Sequence, residues 1–224
     1  MHWLALIFKM HHRYTLNQEA FDVATDEASY WLGFIMADGC VMWDYRHRTP
    51  TARLRINLNT CDIVHLQKLK GFLQYSGIVG LRDNNRYCSL EISSNHLVES
   101  LREYGITERK SRTATVIKLN DSLHFWRGLI DGDGTLYLSK KMYPQLSLCG
   151  SESILNQFAD YVKRAFPDIQ KVSIRKCASI KQLSFGGEKA IALVNHFYFN
   201  CPIALERKLR IAERIISLRA HSPS

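Results

Sequence analysis

Short stretches of alternating polar and apolar residues recur along this chain, separated by longer stretches with helical spacing. Residues 53–59, RLRINLN, place Leu54, Ile56 and Leu58 on one face and polar side chains on the other. This period of two predicts a half-buried strand. Residues 145–149, QLSLC, show the same pattern in the second half of the chain.

The other predicted elements occur in the same order in both halves. The predicted helices lie near 61–75, 95–104, 151–166 and 188–199. The predicted strand pairs are 77–82 with 87–93, and 170–176 with 181–185. A last amphipathic helix is predicted over 203–218. Each half therefore reads helix, two strands, helix, two strands, helix, which indicates a duplicated α+β unit.

A repeated motif opens each half. Residues 30–39 read YWLGFIMADG and residues 125–134 read FWRGLIDGDG, so five positions are identical. The identical pairs are Trp31 with Trp126, Gly33 with Gly128, Ile35 with Ile130, Asp38 with Asp133, and Gly39 with Gly134. The aspartates are 95 residues apart (133 − 38). Such an internal repeat predicts pseudo-twofold symmetry.

Each half also ends in a matching tripeptide, Glu108-Arg109-Lys110 and Glu206-Arg207-Lys208. The lysines follow their aspartates by 72 and 75 residues (110 − 38 and 208 − 133). The predicted divisions are a lead-in over 1–25, a first subdomain over 26–112, and a second subdomain over 113–224 that includes the C-terminal helix.

The motif predicts two closely packed helices that end together at a pair of carboxylates. Gly33 and Ala37 are four residues apart, as are Gly128 and Gly132, so each helix has two small residues on one face. The glycines after the aspartates suit a helix end with positive φ. A helix C-terminus is partially negative, so two aspartates there require a cation. Oxygen ligands favour Mg²⁺ or a similar ion, which suits phosphodiester hydrolysis.

Composition agrees with a polyanionic partner. Thirty Lys and Arg residues against 21 Asp and Glu residues give a formal net charge of +9. This excess favours nucleic acid without establishing it. The six cysteines are scattered without a CxxC pair, which predicts reduced thiols in an intracellular protein.

Targeting features are weak. The apolar segment Met1–Phe8 is too short to cross a bilayer and precedes its first cation, Lys9. We therefore expect no membrane association, and a location in the cytoplasm of a prokaryotic or phage-infected cell, with an organelle as the alternative. The pair His11-His12 is interpreted as lead-in chain, and Met10 is a hypothetical native start.

Both motif segments resemble the LAGLIDADG signature of the homing endonucleases, and the resemblance extends from Tyr14 to about Leu218. It implies a single-chain, monomeric enzyme with a duplicated αββαββα fold, whose two antiparallel sheets bind double-stranded DNA. Asp38 and Asp133 match the catalytic, metal-binding position of the signature. Mg²⁺, or Mn²⁺ in its place, is the implied cofactor.

The resemblance also implies supporting residues in the active site. The backbone carbonyls of Ala37 and Gly132 match further metal ligands, and Lys110 and Lys208 match lysines that polarise water or stabilise developing charge. One departure is visible: the sixth signature position is Asp131 in the second copy but Met36 in the first. This asymmetry predicts a bias between the two strand cuts.

The polar faces of the strands are the predicted DNA-reading surface, since a β-ribbon fits the major groove. The residues predicted to face the bases are Arg53, Arg55, Asn57, Asn59, Tyr137, Ser139, Gln145, Ser147, Arg175, Lys181, Gln182 and Ser184. The residues predicted to contact phosphates from turns are Arg46, Arg48, Arg82, Arg86, Lys140, Lys141 and Lys176. Because the reading faces of the two halves differ in sequence, we expect an asymmetric or only loosely palindromic target.

Three functions fit this sequence. The first is a metal-dependent DNA endonuclease that promotes the mobility of an intron or intein. The second is an RNA maturase on the same scaffold, which would bind group I intron RNA and assist splicing. The third is a DNA-binding protein that does not cut, which the retention of both aspartates disfavours.

Overall fold

A computed structural model describes residues 14–46, 48–110, 113–177 and 180–220 of the chain. Met1–Phe8, Met10 and the His11-His12 pair, which the sequence analysis interpreted, lie outside these residues. None of the described helices combines the length and the apolar character that a membrane span requires.

The first repeat contains three helices and one antiparallel sheet. Its helices are α1 (Asp26–Asp38), α2 (Ile63–Phe72) and α3 (Asn95–Glu103). Its strands are β1 (Gly39–Asp44), β2 (Thr51–Asn59), β3 (Gly80–Arg82) and β4 (Tyr87–Ser93), in the sheet order β1-β2-β4-β3. In the register of this sheet, Arg55 of β2 lies opposite Cys40 of β1 and Glu91 of β4.

The second repeat has the same order of elements and adds one helix. Its helices are α4 (Leu123–Asp133), α5 (Glu152–Ala165), α6 (Glu188–Tyr198) and α7 (Glu206–Ala220). Its strands are β5 (Gly134–Leu138), β6 (Pro144–Gly150), β7 (Ile174–Cys177) and β8 (Ile180–Gly186), in the sheet order β5-β6-β8-β7. The duplicated α+β fold predicted from the sequence is therefore confirmed.

Equivalent hydroxyl caps begin the two motif helices. Thr25 Oγ1 accepts a hydrogen bond from the backbone N–H of Ala28, and Ser122 Oγ accepts one from Phe125, both at 3.2 Å. A side-chain acceptor at the N-cap satisfies one of the free N–H groups of the first turn. Each helix then continues to its aspartate, so capping fixes the start of both helices and the glycine fixes their common end.

Helices α1 and α4 pack with their backbones in contact, as the spacing of small residues predicts. A Cβ atom on Gly33 would collide with the carbonyl oxygen of Phe125, and a Cβ atom on Gly128 would collide with that of Tyr30. The two contacts are related by the pseudo-twofold symmetry. The interface is buried, since Phe34 and Trp126 have no exposed surface. Only glycine permits this approach.

The predicted positive φ at Gly39 and Gly134 is wrong. Both residues are extended, with φ of −77° and −87°. The reason for glycine is steric: a Cβ on Gly39 would lie 2.6 Å from the carbonyl oxygen of Ile35, and one on Gly134 would lie 2.5 Å from that of Ile130. Each chain leaves its helix directly into a strand, so the extended conformation is required there.

Candidate active site and nucleic-acid interface

The paired helices α1 and α4 bring Asp38 and Asp133 to one place. The Asp38 carboxylate lies beside Gly132, where a Cβ would be 3.3 Å from Asp38 Oδ2. Neither helix has a basic residue in its last turn. Within the described part of the chain, the two carboxylates accept no hydrogen bond. Their lone pairs are therefore open to a ligand.

Both carboxylates are harder to ionise than an ordinary aspartate. Desolvation, followed by the negative charge of Asp38, raises the pKa of Asp133 to about 6. Desolvation also raises the pKa of Asp38, although the charges of Lys208 and Lys110 oppose it. Asp133 is exposed and Asp38 is half-buried. Both carboxylates are therefore accessible to a ligand from solvent. Such like-charged neighbours favour the binding of a cation.

Lys110 and Lys208 lie buried beside the two helix ends, 8% and 3% exposed. Lys208 Nζ donates to the carbonyl oxygens of Ile130, Asp131 and Gly134 at 2.6–2.7 Å, and more weakly to that of Gly132 at 3.3 Å. Lys110 Nζ donates to the carbonyl oxygen of Gly39. Burial lowers the pKa of Lys110, and it lowers the pKa of Lys208 to about 8.

The lysines act across the pseudo-twofold axis. Among the lysines, Lys208 of the second repeat lowers the pKa of Asp38 most, whereas Lys110 of the first repeat lowers that of Asp133 most. Each carboxylate is thus paired electrostatically with the lysine of the other repeat. The arrangement contains two related half-sites, one with Asp38 and Lys208 and one with Asp133 and Lys110.

The available donors fit a hard divalent cation. Two carboxylate groups without hydrogen-bond donors lie at the ends of the two packed helices, and the resemblance adds the backbone carbonyls of Ala37 and Gly132 as further ligands. The Gly132 carbonyl is partly engaged by Lys208, so it is the weaker donor of the two. In the described ranges there is no cluster of three or more His, Cys, Asp or Glu side chains that would hold a metal without further ligands. Such a site leaves coordination positions for water and phosphate oxygens.

One thiol near this site was not anticipated from the sequence. Cys40 follows Asp38 by two residues and is exposed. Its charge, were it ionised, would raise the pKa of Lys110.

In the first repeat, the open face of the sheet carries the residues that the alternation predicts. Leu54, Ile56 and Leu58 are buried, and the alternate positions of β2 are exposed or half-buried. The residues predicted to face the bases, Arg53, Arg55, Asn57 and Asn59, lie on this face. Arg82, predicted to contact phosphate from a turn, lies in β3 on the same face. The predicted turn residues Arg46, Arg48 and Arg86 are exposed. Arg46 pairs with Asp44 at 2.6 Å and Arg86 with Asp83 at 3.4 Å.

The second sheet places most of the predicted residues on its open face. Those residues are Tyr137, Gln145, Arg175, Gln182 and Ser184, with Ser139 at the strand end and Lys140 and Lys141 exposed in the β5–β6 turn. Ser139 Oγ accepts a hydrogen bond from the backbone N–H of Tyr143 at 2.9 Å, so that serine closes the turn.

Three predicted positions in this sheet need correction. Ser147 has the right parity but is 5% exposed, because it lies in the central strand between Thr135 and Ser184. Lys181 shares the parity of the buried Leu183, so it lies on the helix-covered face, where it pairs with Glu152 at 2.7 Å. Lys176 lies opposite Lys181 in the register and therefore shares that face. Lys181, predicted to face the bases, and Lys176, predicted to contact phosphate, therefore lie on the opposite face of the sheet, and Ser147 lies on the open face with little exposed surface.

Sequence reasoning missed an acidic residue between the arginines. Glu91 of β4 accepts from Arg53 Nη1 at 2.9 Å and pairs with Arg55 Nη2 at 2.8 Å. Arg55 Nε also donates to it at 2.9 Å. The signal was available: β4 has its own alternation, and pairing it with β2 in antiparallel register puts Glu91 on the same face.

A salt bridge between the two repeats was also missed. Arg207 Nε donates to Asp62 Oδ2 at 3.0 Å, and Asp62 is only 7% exposed. The bond joins the start of α7 to the start of α2. The positive charge of Arg207 also lowers the pKa of Asp38, after the larger effects of the two lysines.

Comparisons with known proteins agree with this architecture. Residues 31–118 match the family model described as LAGLIDADG endonuclease. A comparison with curated protein sequences finds no match. The fold is that of solved LAGLIDADG proteins. The meganuclease I-AabMI bound to uncleaved DNA has a TM-score of 0.62 at 14% identity, over 88% of this chain and 91% of that one.

Two further solved structures show the same likeness. The homing endonuclease I-LtrWI bound to target DNA has a TM-score of 0.55 at 10% identity, over 92% of each chain. I-SmaMI bound to an uncleaved DNA target in the presence of calcium ions has a TM-score of 0.54 at 12% identity, over 88% of this chain and 92% of that one. At these identities the likeness concerns the fold.

Proposed function

We propose that this chain, whose residues 31–118 match the LAGLIDADG endonuclease family model and whose fold is that of solved LAGLIDADG proteins, is a monomeric, site-specific DNA endonuclease. It uses a divalent metal ion, Mg²⁺ or Mn²⁺, to cut both strands of a long target. The single observation that supports this most is the pair Asp38 and Asp133, held together without hydrogen-bond donors at two abutting helix ends. The I-AabMI and I-LtrWI structures contain bound DNA, which supports DNA as the partner.

In this proposal the residues of the chain bind the metal and orient the phosphate. A bound divalent ion would supply Lewis-acid activation of water and of the leaving oxygen. Asp38, Asp133 and the carbonyls of Ala37 and Gly132 would hold it. Lys110 and Lys208 place positive charge beside the same point, where it stabilises the negative charge that develops on the phosphate. Hydrogen bonds to the carbonyl oxygens at the helix ends hold both ammonium groups in place before the reaction begins.

The open faces of the two sheets would read the DNA. Arginine and asparagine dominate the face of β2, whereas Gln145, Gln182 and Ser184 lie on the face of the second sheet. Arg pairs with guanine and Gln or Asn with adenine in the major groove. Because the faces differ, the proposed target is asymmetric. An endonuclease with such a long, specific target would promote the mobility of the intron or intein that carries its gene.

The experiment that tests the proposed function is a cleavage selection. The purified protein is incubated with a randomised long-duplex library and Mg²⁺, and the cut fragments are sequenced. We expect one asymmetric family of sites, and no cut fragments in EDTA. A library that stays intact in Mg²⁺ and Mn²⁺ contradicts the proposal, as would splicing of group I intron RNA in the absence of any DNA product.

Metal binding should depend on pH through Asp133. A metal ion binds the ionised carboxylate, and the pKa of Asp133 is about 6, so protonation competes with the metal below that pH. We expect the Mn²⁺ affinity of the DNA-free protein to be about tenfold weaker at pH 5 than at pH 7. Isothermal titration calorimetry checks this. An affinity that does not change between pH 5 and pH 7 contradicts a role for Asp133 as ligand.

Glu91 should affect DNA discrimination more than DNA affinity. Glu91→Gln removes a negative charge from the open face, so non-specific DNA binding becomes tighter. The same change frees Arg53 and Arg55 from their fixed positions, so we expect the ratio of specific to non-specific affinity to fall about tenfold. Fluorescence anisotropy with the selected target and a scrambled duplex measures both. Glu99→Gln, on the exposed side of α3, is the matched charge control, and an equal effect of both variants contradicts the role of Glu91.

A further inference from the structure

A fully buried carboxylate lies in α4, two residues before Asp133, and the proposed metal chemistry does not use it. Asp131 is 0% exposed. Its equivalent in the first repeat is Met36, which is also buried at 3% exposure. A buried apolar residue needs no partner, whereas a buried carboxylate requires hydrogen-bond donors. The two repeats therefore differ at this position in what surrounds it.

Three donors from separate elements converge on Asp131. The hydroxyl of Tyr30, from α1, donates to Oδ2 at 2.7 Å, and the hydroxyl of Tyr198, at the end of α6, donates to Oδ1 at 2.7 Å. The backbone N–H of Leu205 donates to Oδ2 at 2.7 Å. The carboxylate therefore joins α1 of the first repeat to α6 and to the segment before α7.

The network continues into the first repeat through His65 of α2. His65 Nε2 lies 3.0 Å from the Tyr30 hydroxyl oxygen. Since the single hydroxyl proton of Tyr30 goes to Asp131, His65 Nε2 must be the donor in this contact. His65 Nδ1 is then an acceptor, and it is buried without a partner. The hydrogen bonds run in one direction, from His65 through Tyr30 to Asp131.

Leu205 determines where α7 begins. Its carbonyl oxygen accepts from the backbone N–H groups of Lys208 and Leu209, both at 2.9 Å, so it closes the first turn of the helix. Its own N–H is held by Asp131. The ammonium group of Lys208, in that same first turn, donates to the backbone carbonyl of Asp131 at 2.6 Å. The side chain of Asp131 thus accepts a hydrogen bond from the first turn of α7, and its backbone carbonyl accepts one from Lys208.

We propose that Asp131 is the positioning residue for Lys208, and that Lys110, whose repeat has Met36 instead, has no equivalent carboxylate among the residues that the structure describes. The inference rests on the proposed nuclease function, because it concerns the half-site formed by Asp38 and Lys208. The difference between Asp131 and Met36 in the two motifs would then have a physical consequence. The two strand cuts depend on lysines that are held in place by different means.

Strand-specific nicking kinetics test this proposal. Tyr198→Phe removes one donor and keeps the carboxylate, whereas Asp131→Asn keeps the shape and loses the charge. We expect each variant to slow one strand cut by at least about tenfold more than the other, in the same direction as Lys208→Ala, because small misplacements near the reacting atoms are costly. Tyr161→Phe is the matched control, since it removes a hydroxyl bound to His196 at 2.7 Å in the same repeat and should slow neither strand selectively.

The outcomes separate the inference from the proposed function. Equal slowing of both strands by Tyr198→Phe and Asp131→Asn is what a merely structural role produces, and it overturns the proposal. If the wild-type protein cuts no DNA, the nuclease function fails and hydrogen exchange decides the positioning. Faster exchange of the amides of 205–209 in both variants, with α5 unchanged, then supports the role of Asp131, and unchanged exchange at 205–209 overturns it.

Discussion

Asp38→Asn and Asp133→Asn should each lower the rate of DNA cleavage by at least about 10³-fold while specific DNA binding persists. Asparagine keeps the shape of the side chain but removes the charge that a divalent ion requires. The base-reading side chains lie on the open sheet faces and are untouched by either change. Cleavage is measured with saturating enzyme and the selected target, and binding is measured by anisotropy in Ca²⁺.

Asp133→Asn should also stabilise the metal-free protein. The pKa of Asp133 is raised to about 6, so the folded state holds its proton more tightly than the unfolded state does. This group therefore costs stability progressively as pH rises from about 4 to 6, and fully above pH 6. Allowing for solvent screening of the exposed carboxylate, Asp133→Asn should gain on the order of 1 kcal/mol at pH 7.

Thermal melts in EDTA check the sign of this effect. We expect a higher Tm for Asp133→Asn at pH 7, and a difference that disappears near pH 4, where both proteins are neutral at this position. An equal Tm gain at both pH values would show that the carboxylate is not strained by its neighbours. Loss of cleavage together with loss of stability would show instead that the variant is misfolded.

Gly33→Ala and Gly128→Ala should each destabilise the protein by at least about 3 kcal/mol. The added Cβ would meet the backbone carbonyl of Phe125 or Tyr30 on the facing helix. A backbone atom cannot move aside as a flexible side chain can, so α1 and α4 must separate. Because the interface also aligns Asp38 with Asp133, cleavage should be lost even where the variant stays folded. Urea unfolding measures the free energy change.

Gly71→Ala is the matched control for these glycines. Gly71 lies in helix α2, and a Cβ there would have nothing within 4 Å. Replacing an exposed helical glycine with alanine should raise stability by about 0.5–1 kcal/mol. A similar loss at Gly71 and at Gly33 would show that the effect comes from helix propensity, and it would contradict close packing as the cause.

The sequence predicted the fold well because the fold is repeated. One copy of Asp-Gly after a helical pattern has many explanations, but two copies in register with two matching strand patterns have few. The packing of α1 on α4 was also predictable, since small residues four apart mark one face of a helix. These predictions rest on local periodicity. They hold in the structure because the residues on each face of a strand or helix are buried or exposed as the period predicts.

Other features depend on pairing between distant segments. Parity along a single strand would have excluded Lys181, which alternates with Leu183, but the burial of Ser147 required knowledge of the strands on both sides. The partners of Asp131 come from α1, α6 and the segment before α7. No spacing within one motif indicates that convergence. The electrostatic crossing of Lys110 and Lys208 likewise follows only from the packed dimer-like arrangement of the repeats.

The most direct test is the conversion of a supercoiled plasmid that carries the selected target into linear DNA. Wild-type protein, the double variant Asp38→Asn/Asp133→Asn, and wild-type protein in EDTA are compared at equal DNA occupancy. If the paired carboxylates hold the metal that cuts both strands, only wild-type protein with Mg²⁺ produces linear DNA, and the double variant leaves the plasmid supercoiled. Linear DNA formed at the wild-type rate by the double variant would contradict that role.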